Sequence, residues 1–129
     1  MKKNTINGLA VRGYDLVTIL ENKEPEKGNK NISHQIEDAI YQFKSDTNKK
    51  RFINNPEKYL PRYGGFCSIA MSEGVLVDAN PKSFIIKDNK LFLFFSRYFM
   101  IVDTRRQWRV TPIELEKLAD ENWELLKNE

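Results

Sequence analysis

Two stretches of the sequence have the pattern of a β-hairpin, and they constrain the fold more than any other feature. In the first, short alternating runs within residues 32–43 lie on either side of Glu37-Asp38. In the second, apolar and alternating runs within residues 83–95 flank Asp88-Asn89, a pair that favours a tight turn. Strands joined by so short a turn pair antiparallel. We therefore predict a small, mostly antiparallel sheet formed by two hairpins.

Capping signals predict short helices around these hairpins. Asp15 is placed to cap a helix over residues 16–21, and Ser45 is placed to cap a second helix over residues 46–54. The apolar run 67–72 is compatible with a third short helix.

The C-terminal third of the chain is predicted to be helical. Thr111-Pro112-Ile113-Glu114 combines a capping residue, a proline at the first helical position and an acid in the first turn. Residues 97–109 are interpreted as another helix. Two hairpins covered by several short helices and a C-terminal helix make an α+β fold. The apolar stripe of the C-terminal helix is expected at Leu115, Leu118, Trp123 and Leu126.

Length and composition predict one domain over residues 1–129. Hydrophobic residues make up 40% of the chain and aromatic residues 12%, which suits a globular protein with an aromatic core. No apolar stretch approaches the about 20 residues that a membrane span needs. We therefore expect no membrane partner and a cytoplasmic protein, or a secreted or periplasmic one if a signal peptide has been removed.

Charge and cysteine content exclude several kinds of site. The 21 basic and 18 acidic residues leave a net charge of +3, which is too weak to indicate nucleic-acid binding. Arg97, Arg105, Arg106 and Arg109 lie near Trp108, but Asp103 interrupts them, and a solvated helix face explains them better. A single cysteine excludes an internal disulfide and a zinc site with several cysteines.

That cysteine, Cys67, follows two glycines and precedes an apolar, helix-compatible run. A cysteine at a helix N-terminus is exposed to the positive end of the helix dipole, which favours the thiolate. The thiolate binds soft metals and attacks electrophiles. The alternative is that Cys67 packs in the core as a small hydrophobic residue.

Six segments occur in an order and spacing that cover nearly the whole chain. Their Pro-x-x-Tyr, Tyr-Gly-Gly-x-Cys and Lys-Leu-x-Leu pieces are jointly specific, and together the segments resemble the stand-alone bacterial members of the YHS-domain family. The segments are Leu9-Ala10-Val11-Arg12-Gly13-Tyr14-Asp15, Ala39-Ile40-Tyr41-Gln42-Phe43-Lys44-Ser45, Asn55 to Gly74, Asn80-Pro81, Ile86 to Leu93, and Ala119-Asp120-Glu121-Asn122-Trp123.

The resemblance implies a small α+β module linked to heavy-metal handling. YHS domains occur beside copper-transporting ATPases, and related metal-sensing versions use several cysteines in a treble-clef zinc site. This chain keeps only Cys67 of that pattern. Many stand-alone members have a histidine at the position of Ile36, where this chain is apolar. Its only histidine, His34, lies two residues earlier and on the same face of the strand.

A soft-metal site can be assembled from these residues. Cys67 and Met71 are four residues apart, so a helix would place both sulfur atoms on one face. A thiolate and a thioether suit Cu(I), and His34 could add a nitrogen ligand if the first hairpin packs over that helix. A metal shared between the two chains of a homodimer is a further arrangement. The alternatives are Met71 as core filler and His34 as a solvated strand residue.

The sequence thus favours a non-catalytic copper-type metal-binding module centred on Cys67. An enzyme would need a base oriented by a third group, and no partner for His34 can be chosen by spacing. Two alternatives stay open. One is a protein-interaction or structural module in which Cys67 only packs, and the other is a redox sensor whose thiol forms an intermolecular disulfide.

Overall fold

The computed structural model describes residues 1–129 and contains both predicted hairpins. The strands are β1 (Thr5–Ile6), β2 (Leu9–Ala10), β3 (Asn29–Ile36), β4 (Ala39–Phe43), β5 (Asn80–Lys87), β6 (Lys90–Phe94), β7 (Ser96–Arg97) and β8 (Val102–Asp103). The helices are α1 (Leu16–Asn22), α2 (Asp46–Asn54), α3 (Pro56–Tyr59), α4 (Ser68–Ser72), α5 (Arg105–Trp108) and α6 (Pro112–Leu126). None of these helices is long and apolar enough to cross a membrane.

The predicted α+β class is confirmed, with several small sheets of mainly antiparallel strands. The first sheet has the order β1-β2-β4-β3, in which only β2 and β4 run parallel. The pairs β5–β6 and β7–β8 are separate two-stranded sheets. The two hairpins therefore lie in different sheets and not in the one shared sheet that the sequence predicted. Their turn residues specify pairing within each hairpin and carry no information on pairing between hairpins.

The second hairpin shows how turn residues set strand register. Asp88 and Asn89 both have positive φ, 53° and 60°, as a tight hairpin turn of the primed type requires. Lys87 then pairs with Lys90, and the register continues to Phe84 opposite Leu93. A register shift follows toward Asn80, which pairs with Phe94.

Asp15 connects three elements at the edge of the core. Its side chain is fully buried and caps α1 by accepting the backbone N–H groups of Val17 and Thr18 at 2.8 and 3.4 Å. Its second oxygen accepts the N–H of Lys44 after β4 and the side-chain amide of Asn48 on α2. Four donors satisfy this buried carboxylate, so the predicted cap also holds α1, β4 and α2 together.

The predicted helix over residues 97–109 is wrong. The structure places β7, a loop, β8 and α5 there instead. The backbone N–H of Thr104 donates to the carbonyl of Phe95 at 3.1 Å, and the Thr104 hydroxyl donates to the same carbonyl. These contacts across nine residues close a loop that a continuous helix could not form. Tertiary contacts thus override local helix propensity here.

The C-terminal helix begins at Pro112 as predicted, but its buried face differs from the predicted stripe. Ala119 and Trp123 are buried, whereas Leu118 is 47% exposed. The face containing Asn122 meets α4, because the Asn122 side chain donates to the carbonyl oxygens of Met71 and Ser72. These bonds satisfy carbonyl groups at the C-terminal end of α4.

The Asp15 contacts generate a stability prediction. Asp15→Asn should lower the free energy of unfolding by about 2–4 kcal/mol. In either orientation the amide NH₂ of the asparagine would point at N–H donors that now bond to a carboxylate oxygen, and those donors would lose their acceptor. Urea unfolding monitored by circular dichroism measures the change. Asp46→Asn, which alters an exposed acid in the first turn of α2, is the control and should cost less than about 1 kcal/mol. Equal losses for the two variants would contradict the role assigned to Asp15.

Candidate functional site

Cys67 occupies the position before α4 that the sequence predicted. It is the N-cap residue of that helix, and it follows a 3-10 turn at Arg62–Gly65. Gly64 has a φ of 61°, and a Cβ atom there would overlap the carbonyl oxygen of Lys2. The glycine is therefore required by the close approach of the N-terminal segment, and the chain then enters the core at Cys67.

The Cys67 side chain is fully buried and bonded to the β6–β7 connection. Its sulfur accepts the backbone N–H of Phe95 at 3.2 Å and lies 3.6 Å from the hydroxyl oxygen of Thr104. The Thr104 hydroxyl donates to the Phe95 carbonyl at 3.0 Å, so the Thr104 hydroxyl oxygen can accept a hydrogen bond from the Cys67 thiol. The Cys67 backbone N–H also donates to Val77 at 2.8 Å. The thiol thus joins the start of α4 to the end of β6.

The other two proposed ligands have different surroundings. Met71 is fully buried and continues α4, where its N–H donates to the Cys67 carbonyl at 3.0 Å. His34 lies on β3 opposite Tyr41, and its ring packs edge-on against Phe52 with centroids 6.3 Å apart. No group of three or more His, Cys, Asp or Glu side chains is placed to hold a metal ion.

These contacts do not form a ready-made donor set for copper. The Cys67 sulfur already has partners in Phe95 and Thr104, and His34 contacts a different part of the core. A metal could reach the sulfur only if the packing around α4 opened. The soft-metal hypothesis stays a prediction. Its test must show whether a metal ion reaches the buried Cys67 sulfur.

A run of apolar residues that the sequence analysis assigned to a helix is instead exposed. Residues 98–102, here called the apolar loop, comprise the connection from β7 to β8 and the first residue of β8. Phe99 is fully exposed, Ile101 is 70% exposed and Tyr98 is 66% exposed. Five consecutive apolar residues do not fit the period of an amphipathic helix, and this signal could have identified the loop from the sequence.

The backbone of the apolar loop is strained. Tyr98, Phe99 and Met100 have φ angles of 54°, 52° and 73°, so three successive residues other than glycine occupy the left-handed region. That conformation costs about 1–2 kcal/mol for each residue with a side chain. Strain of this kind persists only where surrounding contacts impose it, and it is concentrated at functional sites.

Side chains at the base of the apolar loop supply those contacts. The Asp103 carboxylate accepts the hydroxyl of Ser83 at 2.6 Å and two guanidinium N–H groups of Arg105 at 2.9 and 2.6 Å. Burial alone would raise the pKa of the Asp103 carboxyl, but these hydrogen bonds outweigh it and hold the pKa below its usual value. An ionised Asp103 therefore anchors β8 to β5.

A hollow of about 460 Å³ lies beside the apolar loop, between it and the start of β5. Ser96 accepts the Asn80 side-chain amide at 2.9 Å and donates to the Met100 sulfur at 3.1 Å, so the wall is held in place. Lys82 and Arg97 are the only charged residues of the lining. The hollow is thus apolar on one side, positively charged, and open to solvent.

Comparison with protein-family models, curated proteins and solved structures finds no match to this chain. The YHS resemblance therefore rests on the segments given above and stays a prediction. Function is argued from the geometry of the chain itself.

The burial of Cys67 predicts low reactivity in the native state. Thiol–disulfide exchange between Cys67 and a disulfide reagent, which forms a mixed disulfide and releases the second thiolate of the reagent, should be roughly a hundredfold slower, or more, in the native protein than in the urea-unfolded chain, because reaction requires local opening. Stopped-flow absorbance at increasing urea concentration measures the rate. Equal rates in the native and unfolded chain would contradict the buried thiol and favour the redox-sensor alternative.

The soft-metal hypothesis makes a separate prediction. If Cys67 binds Cu(I), the reduced wild type retains copper against a Cu(I) chelator, Cys67→Ser loses it, and Met71→Leu retains it more weakly. Competition titration with each variant decides, with Met100→Leu as a thioether control outside α4. Equal retention by the wild type and Cys67→Ser would end the hypothesis at this site.

Proposed function

We propose that this chain is a non-catalytic protein-interaction module that binds an acidic, partly apolar protein surface through its apolar loop. The observation that carries the proposal is the exposure of Tyr98 and Phe99 on a strained backbone. Exposed apolar clusters mark interaction sites on otherwise soluble domains. The proposal takes up the interaction-module alternative, in which Cys67 serves packing.

The composition of the loop suits an interface centre. Tyrosine and phenylalanine side chains supply large contact areas at low conformational cost, and aromatic residues dominate binding energy when they fill pockets on a partner. Because Asp103, Arg105 and Thr104 hold the base of the loop, its backbone has little freedom to lose when a partner binds. Such preorganisation increases affinity.

Charge around the loop favours an acidic partner. Lys82 and Arg97 line the adjacent hollow, and neither forms an ion pair within the chain. Arg106 in α5 and Arg109, the residue after α5, are exposed and likewise unpaired. A carboxylate of a partner that entered the hollow would meet two cations and no competing acid.

The hollow also favours a protein over a lipid surface. A bilayer presents a flat, deformable face, whereas a hollow of about 460 Å³ next to an aromatic tip is complementary to a protruding side chain. The surroundings of Cys67 and His34 support a non-catalytic role, because the sulfur and the imidazole contact different groups and do not form a nucleophile–base pair.

The proposal is tested with a displayed peptide library as the probe. Selection on the wild-type protein should enrich peptides that combine acidic and apolar residues. Phe99→Gly should weaken the binding of a selected peptide about tenfold or more, since truncation of a central aromatic residue costs 1.4 kcal/mol or more. Glycine adopts positive φ without strain, so this variant should stay as stable as the wild type to within about 1 kcal/mol.

Leu125→Ala is the matched control, because Leu125 is an apolar residue on α6 that is 72% exposed. Arg97→Gln should weaken the same peptide and reduce the salt dependence of its binding. No enrichment, or equal peptide affinity for the wild type and Phe99→Gly, would refute the proposal. Two further results would refute the proposal, because each would assign the loop to another occupant. One is a homodimer of the wild type that Phe99→Gly abolishes. The other is sedimentation of the wild type with phosphatidylserine vesicles that Phe99→Gly abolishes.

A further inference from the structure

A second hollow, here called the N-terminal cleft, lies between residues 1–3, the segment 57–64 and the end of α6. Its volume is about 470 Å³, which lies in the range of small-molecule sites. Two acidic side chains, Glu57 and Glu124, belong to its lining. Six basic side chains also line it: Lys2, Lys3, Lys58, Arg62, Lys90 and Lys127.

Several of these cations are already paired with carboxylates. Lys3 contacts Glu37 at 2.9 Å, and Lys127 contacts Glu124 at 2.8 Å. Lys2 and Lys90 line the cleft without an ion-pair partner in the chain. Glu57 is the one acid of the lining without an ion pair, so Lys2 and Lys90 leave an excess of free positive charge at the cleft, which favours an anionic ligand.

Arg62 provides an independent sign of a missing acceptor. One terminal nitrogen of its guanidinium donates to Asp120 at 3.1 Å, and the group lies over the Tyr63 ring with 5.7 Å between them. Its Nε atom is buried and has no hydrogen-bond partner. A buried donor of a charged group is seldom left unsatisfied, and an unpaired one calls for a ligand or an ion that completes it. The guanidinium also lines the cleft, so an anion bound there would lie beside this incompletely bonded cation.

Apolar and aromatic side chains form another part of the lining. Tyr63 and Trp123 are both buried and pack edge to face with ring centroids 6.5 Å apart. Leu60 and Pro61 lie beside them in the lining. Cations next to aromatic surface match a ligand that carries a compact negative group on a planar apolar body.

We propose that the N-terminal cleft binds a small aromatic phosphate. A phosphate offers several oxygen atoms at once, so it can accept from the exposed part of the Arg62 guanidinium while Lys2 and Lys90 neutralise its charge. The planar body would lie against the apolar part of the lining, where the partly exposed Leu60 and Pro61 lie beside the buried Tyr63 and Trp123 rings. This site shares no residue with the apolar loop or its hollow, so it is independent of the proposed protein interaction.

The two tryptophans allow ligand binding at the cleft to be measured by NMR with an internal control. Trp123 lines the cleft, whereas Trp108 packs against Phe92 and Phe94 and is not part of the lining. The probe is 1-naphthyl phosphate, compared with 1-naphthol and inorganic phosphate at equal concentration. The indole N–H signal of Trp123 in a ¹H–¹⁵N spectrum should shift in a saturable way with 1-naphthyl phosphate. The signal of Trp108 should not move.

Variants test which groups hold the anion. The double variant Lys2→Gln/Lys90→Gln should raise the dissociation constant of 1-naphthyl phosphate about tenfold or more, since two charge-assisted contacts are lost. Lys50→Gln is the control, because Lys50 is an exposed, unpaired lysine on α2. Arg62→Lys keeps the charge but removes the planar guanidinium with its several donors, and it should also weaken binding. Arg62 also pairs with Asp120, so Arg62→Lys can destabilise the fold. If Arg62→Lys does not fold, the result for Lys2→Gln/Lys90→Gln alone tests the proposal.

Four outcomes would overturn the proposal. The first is no saturable shift of Trp123 with 1-naphthyl phosphate. The second is equal affinity for 1-naphthol, which would make the cleft an apolar hollow only. The third is equal affinity for inorganic phosphate, which would reveal an adventitious anion only. The fourth is an unchanged dissociation constant in Lys2→Gln/Lys90→Gln.

Discussion

The hydrogen bond from the Phe95 N–H to the Cys67 sulfur determines how α4 packs against the connection between β6 and β7. It places the start of α4 against the end of β6, and the same point is held by two bonds from Thr104 to the Phe95 carbonyl. The β7–β8 hairpin begins directly after Phe95. A residue that suggests reactivity in the sequence therefore acts in the fold as a buried acceptor, and its burial makes the adjacent loop geometry possible.

Strain and support are combined at that hairpin. Three successive residues in left-handed conformation would relax in a loop without support, but the Asp103 carboxylate is held by Ser83 and Arg105 at its base. The lowered pKa of Asp103 keeps this anchor charged over the physiological range. The energetic cost of presenting Tyr98 and Phe99 to solvent is thus offset by polar contacts a few residues away.

Charge in this protein is informative through its distribution rather than its sum. A net charge of +3 indicates no ligand, yet the N-terminal cleft and the hollow beside the apolar loop both concentrate cations that lack partners. Ion pairs elsewhere, such as Lys44 with Glu26, neutralise some of the other charged side chains. Clefts with an excess of one sign of charge attract oppositely charged ligands from solution, which motivates both binding proposals.

The sequence by itself determined the features that depend on neighbouring residues. The Asp88-Asn89 turn, the Asp15 and Ser45 caps and the start of α6 at Pro112 all follow from hydrogen bonds or backbone preferences within a few residues. Only the tertiary structure decided the separation of the two hairpins, the burial of Cys67, the loop at 98–102 and the cleft beside Arg62. Each of these depends on contacts between residues far apart in the chain, such as Cys67 with Phe95 or Lys2 with Gly64, and local propensity does not encode them.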